Sequence, residues 1–230
     1  AAMVLQDYLR RISGKELPLR PDDQPQREQE ILIGRVQRAV MQELSLKELS
    51  EDGVWIKTAG KKLLITGGTR KGVLYGVYTF LEKYLDCRKY ASDLTVVPKR
   101  KSITLNAIND KQLPAFTYRE VFYNDAYSQE YMDWHKLHSF EGRGADKSQW
   151  GYWVHTFASL LDIKEYGAPH PEYFAFYNGQ RHAGTIPNWD GTGAQPEAQL
   201  CLSNKDVLEI VCKNLKLAMD KKPGALYWSV

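Results

Sequence analysis

Arg119, Trp153, His155, Glu172 and Arg181 are the side chains of this 230-residue sequence whose types and settings suit contact with a polar, ring-shaped ligand. Arg119 follows Phe116-Thr117-Tyr118 and carries a planar, permanently charged fork that fits a carboxylate or a pair of hydroxyls. The same group serves equally well in a structural ion pair. His155 lies in the aromatic run Tyr152-Trp153-Val154-His155-Thr156-Phe157. There an imidazole can donate to a hydroxyl while the Trp153 ring stacks on the C–H face of a sugar; the alternative is a histidine satisfied within a core. Glu172 comes directly after His170-Pro171, a setting that also begins a helical turn, where a carboxylate is favourable. Arg181, after the Asn178-Gly179 turn, presents a cation suited to an acidic sugar.

Other chemistry is argued against. The stretch Leu63-Leu64-Ile65-Thr66-Gly67-Gly68-Thr69-Arg70-Lys71-Gly72 has the strand, glycine turn and helix order that cradles a phosphate. Its spacing does not fit. A dinucleotide fingerprint runs Gly-x-Gly-x-x-Gly and a P-loop ends Gly-Lys-Ser/Thr, whereas here Lys71 precedes Gly72. The reading is a tight strand-to-helix turn, with no nucleotide and no cofactor expected. Glycoside hydrolysis needs two carboxyl groups, about 5 Å apart for retention or about 6.5–9.5 Å for inversion. No convincing pair stands out, so catalytic acids are left unassigned. Cys87, Cys201 and Cys212 are far apart and form no CxxC pair, which argues against a zinc ribbon or a disulfide scaffold, and no metal site is expected.

Composition is that of an ordinary globular chain, with 43% hydrophobic and 26% charged residues. The formal net charge is +3, and the densest basic cluster, Lys99-Arg100-Lys101, is too short for a nucleic-acid footprint. No apolar run approaches the ~20 residues of a membrane span, and no signal peptide is visible. Aromatic residues reach 12%, with 14 Tyr and 6 Trp crowded toward the second half. Rings with polar tips suit interfaces and sugar faces, and equally a Tyr- and Trp-rich core.

The elements that must hold the candidate residues follow from periodicity. Val4, Leu5, Tyr8, Leu9 and Ile12 recur at helical spacing over 2–12, and Ser13-Gly14 ends that helix. Segment 18–29 is a polar loop, and Glu30-Ile31-Leu32-Ile33-Gly34 has the signature of a short buried strand. Segments 53–58 and 63–66 predict a β-hairpin. A helix over 69–85 carries Val73, Leu74, Val77, Phe80, Leu81 and Tyr84 on one stripe, with Gly72 and Gly76 on a face that can approach the sheet closely. A strand at 102–105 closes this unit, and the polar stretch 106–114 is expected to be a linker. Beyond it come strand 115–122, helix 128–138, an aromatic segment 149–161, strand 199–202, helix 204–221 and strand 225–230. Strands alternating with helices imply parallel βα units. The expected fold is α/β: a small α/β domain with a mixed sheet over 1–108, then over 109–230 the first part of a (β/α)8 TIM-type barrel, truncated at its fourth strand. Functional side chains of such a barrel gather at the C-terminal ends of its strands.

Thr69-Arg70-Lys71-Gly72-Val73-Leu74-Tyr75-Gly76-Val77-Tyr78-Thr79-Phe80-Leu81-Glu82 resembles the helix of the non-catalytic N-terminal accessory domain shared by α-glucuronidases, β-N-acetylhexosaminidases and related glycosidases. The flanks at 2–18, 31–34 and Val97-Pro98 agree. Leu113-Pro114-Ala115-Phe116-Thr117-Tyr118-Arg119-Glu120 is similar to the first barrel strand of those enzymes, where an Arg ends the strand and reaches the sugar. Segments 150–157, 170–175, 178–181 and 199–204 resemble a bacterial domain family of unassigned function with a glycosidase-like barrel. The resemblance covers nearly the whole chain. It implies a carbohydrate-active glycoside hydrolase acting on oligo- or polysaccharides, with uronic-acid- or amino-sugar-containing glycans as the substrate class. It also implies a sugar contact at Arg119 and a periplasmic or secreted setting, and the strand-end rule for such a barrel selects Trp153, His155 and Glu172 beside it, with Arg181 as a turn-borne cation. Related enzymes carry their acids after the fourth barrel strand, which the resemblance places at 226–230, so the acids are expected after Val230. The alternative is a non-catalytic carbohydrate-binding protein on the same scaffold.

Overall fold

The computed structural model of the chain describes residues 1–42, 44–121, 124–138, 150–153, 155–187 and 194–230. The chain forms two compact units, Ala1–Ala145 and Asp146–Val230. The class is α/β, with a mixed four-stranded sheet in the first unit.

In the first unit, α1 (Ala2–Ser13) turns Leu5, Tyr8, Leu9 and Ile12 inward, as their spacing predicts. Gly14 ends it in the left-handed region, φ 74°, with its N–H on Arg10 O at 2.8 Å. There follow β1 (Glu30–Ile33), the short α2 (Ala39–Gln42), β2 (Val54–Ala59), β3 (Lys62–Gly67) and α3 (Arg70–Leu85). A small ladder of β4 (Arg88–Lys89) and β5 (Thr95–Val96), then β6 (Asn109–Gln112) and α4 (Gln129–Trp134), complete the unit. Strand order is β1-β3-β2-β6, with β1 parallel to β3 and the other neighbours antiparallel. Strand β3 is therefore covered on both faces. Leu63 and Ile65 join Ile56, α1 and α3 in the main core, while Leu64 meets Leu32, Met41 and Leu44 on the opposite side.

Helix α3 starts hard against its neighbours. Thr69 caps it by accepting the Gly72 N–H. A Cβ on Gly68 would lie 1.9 Å from Ser50 O, and one on Gly76 would lie 2.9 Å from Ile65 Cγ2. Gly68, one of the glycines that imitate a phosphate loop, therefore serves close packing against the turn at 50–53, and Gly76 within α3 serves it against β3. Gly68→Ala is expected to cost about 1–3 kcal/mol, because backbone cannot swing aside as a side chain can. An unchanged thermal midpoint would show that the 50–53 turn yields freely.

Several elements differ from expectation. The stretch 106–114 is not a free linker: residues 109–112 are β6, paired from Val54↔Gln112 to Lys57↔Asn109 along the open edge of β2. An edge strand tolerates polar side chains, which is why Asn-Asp-Lys-Gln carries no strand signal of its own. The strand expected at 102–105 does not form, although Ile103 and Leu105 still pack on the core. Residues 115–121 are irregular, and Phe122 lies outside the described residues. The helix expected over 128–138 closes at Trp134, before Lys136 turns left-handed at φ 57°.

The second unit holds α5 (Phe157–Leu160), α6 (Ile163–Tyr166), the β7 (Phe176–Tyr177) and β8 (Gln180–Arg181) hairpin, the β9 (Thr185–Pro187) and β10 (Ala194–Pro196) pair, and α7 (Lys205–Lys221). Its core joins Leu160, Leu161 and Ile163 to Tyr173, Phe174, Leu200, Val207 and Val211. Asn204 caps α7, its side chain accepting the Asp206 and Val207 N–H groups. The strand expected at 199–202 reduces to one antiparallel bridge between Leu200 and Phe174. That at 225–230 reduces to one parallel bridge between Tyr227 and Trp150.

Candidate functional site

Arg119 belongs to the first unit, and all three of its guanidinium nitrogens have partners. Nη2 donates to Asp52 Oδ2 at 2.6 Å, Nη1 to Phe116 O at 2.6 Å and Nε to Lys136 O at 2.9 Å. His138 completes the group. Its Nδ1 accepts the Arg119 backbone N–H at 2.9 Å, which leaves the ring proton on Nε2, 3.0 Å from the same Asp52 oxygen. The Tyr118 ring stacks on the imidazole at 5.2 Å. Burial raises the Asp52 carboxyl, but the hydrogen bonds from His138 and Arg119 and the charges of Lys71 and Arg119 outweigh it and bring it down to about 2. Lys71, in the first turn of α3, is pulled down by burial, with Asp52 and Asp133 opposing.

The other four candidate residues lie in the second unit. Trp153 is half-buried and meets Trp150 edge-on at 4.3 Å. His155 is exposed, with a left-handed backbone at φ 57°, uncommon for a residue with a side chain. The buried Thr156 beside it donates to Ser229 O at 2.7 Å. Gly151 N donates to Tyr227 O at 2.9 Å and Ser229 N to Tyr152 O at 3.1 Å, so the segments before His155 and around Ser229 run side by side. Glu172 stands in the 3-10 turn Pro171–Tyr173, where a hydrogen bond from His170, at 3.0 Å, holds its carboxyl below the usual range. Arg181 on β8 donates to Phe174 O at 2.8 Å, lies 5.2 Å over the Phe176 ring, and adds its charge to the environment of Glu172. It also lowers the Cys201 thiol, after the larger effect of the Ser203 hydrogen bond. The structure thus brings Glu172 and Arg181 into one patch and ties Gly151, Tyr152 and Thr156, on either side of Trp153 and His155, to the 227–229 segment.

Glu120 next to Arg119 was not marked by the sequence. Its carboxyl accepts the Tyr118 hydroxyl through Oε2, while Oε1 is buried with no hydrogen-bond partner. Burial pushes this carboxyl up to about 7, the range a general acid needs near neutral pH. The folded chain therefore binds this proton more tightly than the unfolded one. Protonation favours folding fully below the ordinary Glu value near 4.5, and that preference is lost as pH rises through about 7. Glu120→Gln is expected to raise the thermal midpoint at pH 8 and leave it unchanged at pH 4. Equal midpoints at both would identify a solvated carboxyl.

Two family models match the sequence. Residues 1–80 match Glycosyl hydrolase family 67 N-terminus. Residues 89–230, more than half of the chain, match Domain of unknown function (DUF4838). The chain belongs to the DUF4838 family. The first match adds a glycoside hydrolase context, in the order that the resemblance implies. No curated protein matches the chain. Among the described residues no helix is long and apolar enough to cross a membrane.

The Arg119 cluster straddles the two matches. Arg119 and His138 lie in the DUF4838 segment, while Asp52 and Lys71 lie in the family 67 segment. Lys71 stands in the glycine motif that fails the nucleotide patterns and opens the helix that resembles the accessory domain, and neither pattern marks it as a charge partner of Asp52. Asp52 stands in Glu51-Asp52-Gly53, which reads as an ordinary turn. Nothing local in a sequence ties it to an arginine 67 residues away.

Proposed function

We propose that this DUF4838 chain is part of a glycoside hydrolase acting on glycans that contain uronic acids or amino sugars, in a periplasmic or secreted setting. The observation that supports it is the succession of a family 67 N-terminal match and a DUF4838 match along one chain. Residues 109–230 are read as the opening of a (β/α)8 barrel, with no catalytic acid pair assigned within them. The parallel neighbourhood of Trp150 and Tyr227, with α7 just before the second partner, supports that reading, since a barrel repeats this unit. Sugar contacts are assigned to Arg119, Trp153, His155, Glu172 and Arg181. Trp153 offers an apolar ring, His155 an exposed polar rim, and Glu172 with Arg181 an acceptor and a donor for hydroxyls. Arg119 offers the charge for an acidic group.

Electrophoresis of the 230-residue chain through gels containing soluble glucuronoxylan tests this reading. Retardation is expected, weakened roughly tenfold in affinity by Trp153→Ala or His155→Ala. Migration identical to that in a gel without polysaccharide would overturn it. Binding without cleavage by the longer parent protein would favour the non-catalytic carbohydrate-binding scaffold.

A further inference from the structure

The Arg119 cluster holds more positive charge than its internal partners neutralise at contact distance. Lys71 and Lys136 are both half-buried, and burial pulls both ammonium groups down. Neither Nζ has a hydrogen bond or ion pair among the described residues: Lys71 lies 5.5 Å over the Tyr75 ring, and Lys136 feels Glu82 and Arg119 only through space. Lys71 likewise feels Asp52 and Asp133 through space, and burial raises the Asp133 carboxyl. Among the described residues Asp52 is the single carboxylate in direct contact with Arg119. A guanidinium has five N–H donors, and the three hydrogen bonds described use one on each nitrogen. The Arg119 side chain keeps 19% of its surface exposed.

We propose that Lys71 and Arg119 form a binding site for a ligand carboxylate in which Asp52 is the resident counter-ion. The family 67 segment and the DUF4838 segment then each supply one cation to an acidic-sugar contact, so the accessory segment takes part in recognition. This rests on the reading of Arg119 as a sugar contact. Phe116 O and Lys136 O hold two corners of the guanidinium, so the fork stays oriented when a ligand carboxylate joins or displaces Asp52. A second anion also relieves the unpaired Lys71 ammonium. Asp52→Asn separates orientation from charge. Its amide oxygen still accepts from Arg119 Nη2 and His138 Nε2, but the competing negative charge is gone.

Calorimetric titration of the 230-residue chain at low ionic strength, with sodium glucuronate, glucose and sodium acetate as probes, tests the assignment. Glucuronate is expected to bind more tightly than either glucose or acetate. Asp52→Asn should strengthen glucuronate binding roughly tenfold and leave glucose unchanged, while Lys71→Gln should weaken glucuronate roughly tenfold. Three results would overturn the site: a folded Asp52→Asn chain that binds glucuronate no better than the wild type, an indifferent Lys71→Gln, or acetate binding as tightly as glucuronate. If Asp52→Asn does not fold, Lys71→Gln decides alone, because among the described residues Lys71 has no hydrogen bond or ion pair to lose. Failure of the glycosidase reading looks different: no retention by glucuronoxylan and no effect of Trp153→Ala, while the glucuronate titration still responds to position 52.

Discussion

Trp134→Ala is expected to lower the stability of the first unit by about 3–5 kcal/mol, the usual cost of removing a buried indole. Trp134 is fully buried, with ring centroids 5.6 Å from Tyr8 on α1 and 5.0 Å from Tyr78 on α3. It belongs to the DUF4838 match, and both tyrosines belong to the family 67 match. The two segments therefore share one hydrophobic core, and the cavity would open where they meet. Thermal unfolding should shift down on the order of 10 °C. Trp134→Phe is the informative control. The indole N–H is buried without a hydrogen-bond partner, so phenylalanine keeps most of the packing and discards an orphan donor. A loss as large for Phe as for Ala would mean that ring area is not what Trp134 contributes.

Asp52→Ala is expected to cost about 3 kcal/mol, near the low end for breaking a buried ion pair, because Arg119 keeps some access to water. The substitution leaves Arg119 Nη2 and His138 Nε2 without their acceptor and removes the carboxylate that faces Lys71. The pH dependence gives the effect a signature. Asp52 titrates at about 2 in the folded chain and at ~3.9 in an unfolded one. Its contribution is therefore complete above about pH 4 and disappears as pH falls toward 2. Urea unfolding at pH 7 and near pH 2 should show wild type and Asp52→Ala far apart at the first and converging at the second. A double variant that also carries Arg119→Ala should lose less than the sum of the single losses, since the two share one interaction. Strict additivity would place the two side chains in separate roles.

Much of the first unit was legible because its signals are local. The stripe Leu5, Tyr8, Leu9 and Ile12, the Gly14 stop, the hairpin of β2 and β3, and the apolar stripe of α3 are each set by residues near one another in the chain. The same holds for α7, expected over 204–221 and found over Lys205–Lys221. The candidate site was less legible. Arg119, Trp153, His155, Glu172 and Arg181 were chosen by residue type and position, and the structure distributes them over two units. Of their neighbours, Asp52 and His138 stand in no pattern that distinguishes them from a surface polar residue, while Lys71 and Glu120 lie in motifs that say nothing of a charge partner.

By itself, then, the sequence determined the helices and strands whose hydrophobic period matches their geometry, the absence of nucleotide spacing in the glycine turn, and the family to which the segments belong. Only the tertiary structure decided that 109–112 is a strand, since an edge position draws its stability from the open hydrogen-bonding groups of β2 and asks little of its own side chains. Only the tertiary structure decided that Gly68 of the turn lies against Ser50 and Gly76 of α3 against Ile65. It alone decided the charge state around Arg119 as well. A carboxylate is held at about 2 by groups that chain folding brings together from positions 71, 119 and 138, and a burial-driven carboxyl at about 7 sits one residue away from Arg119. Residue type sets which charges a chain can carry; burial and neighbours set which of them it carries at a given pH, and those are properties of the folded chain.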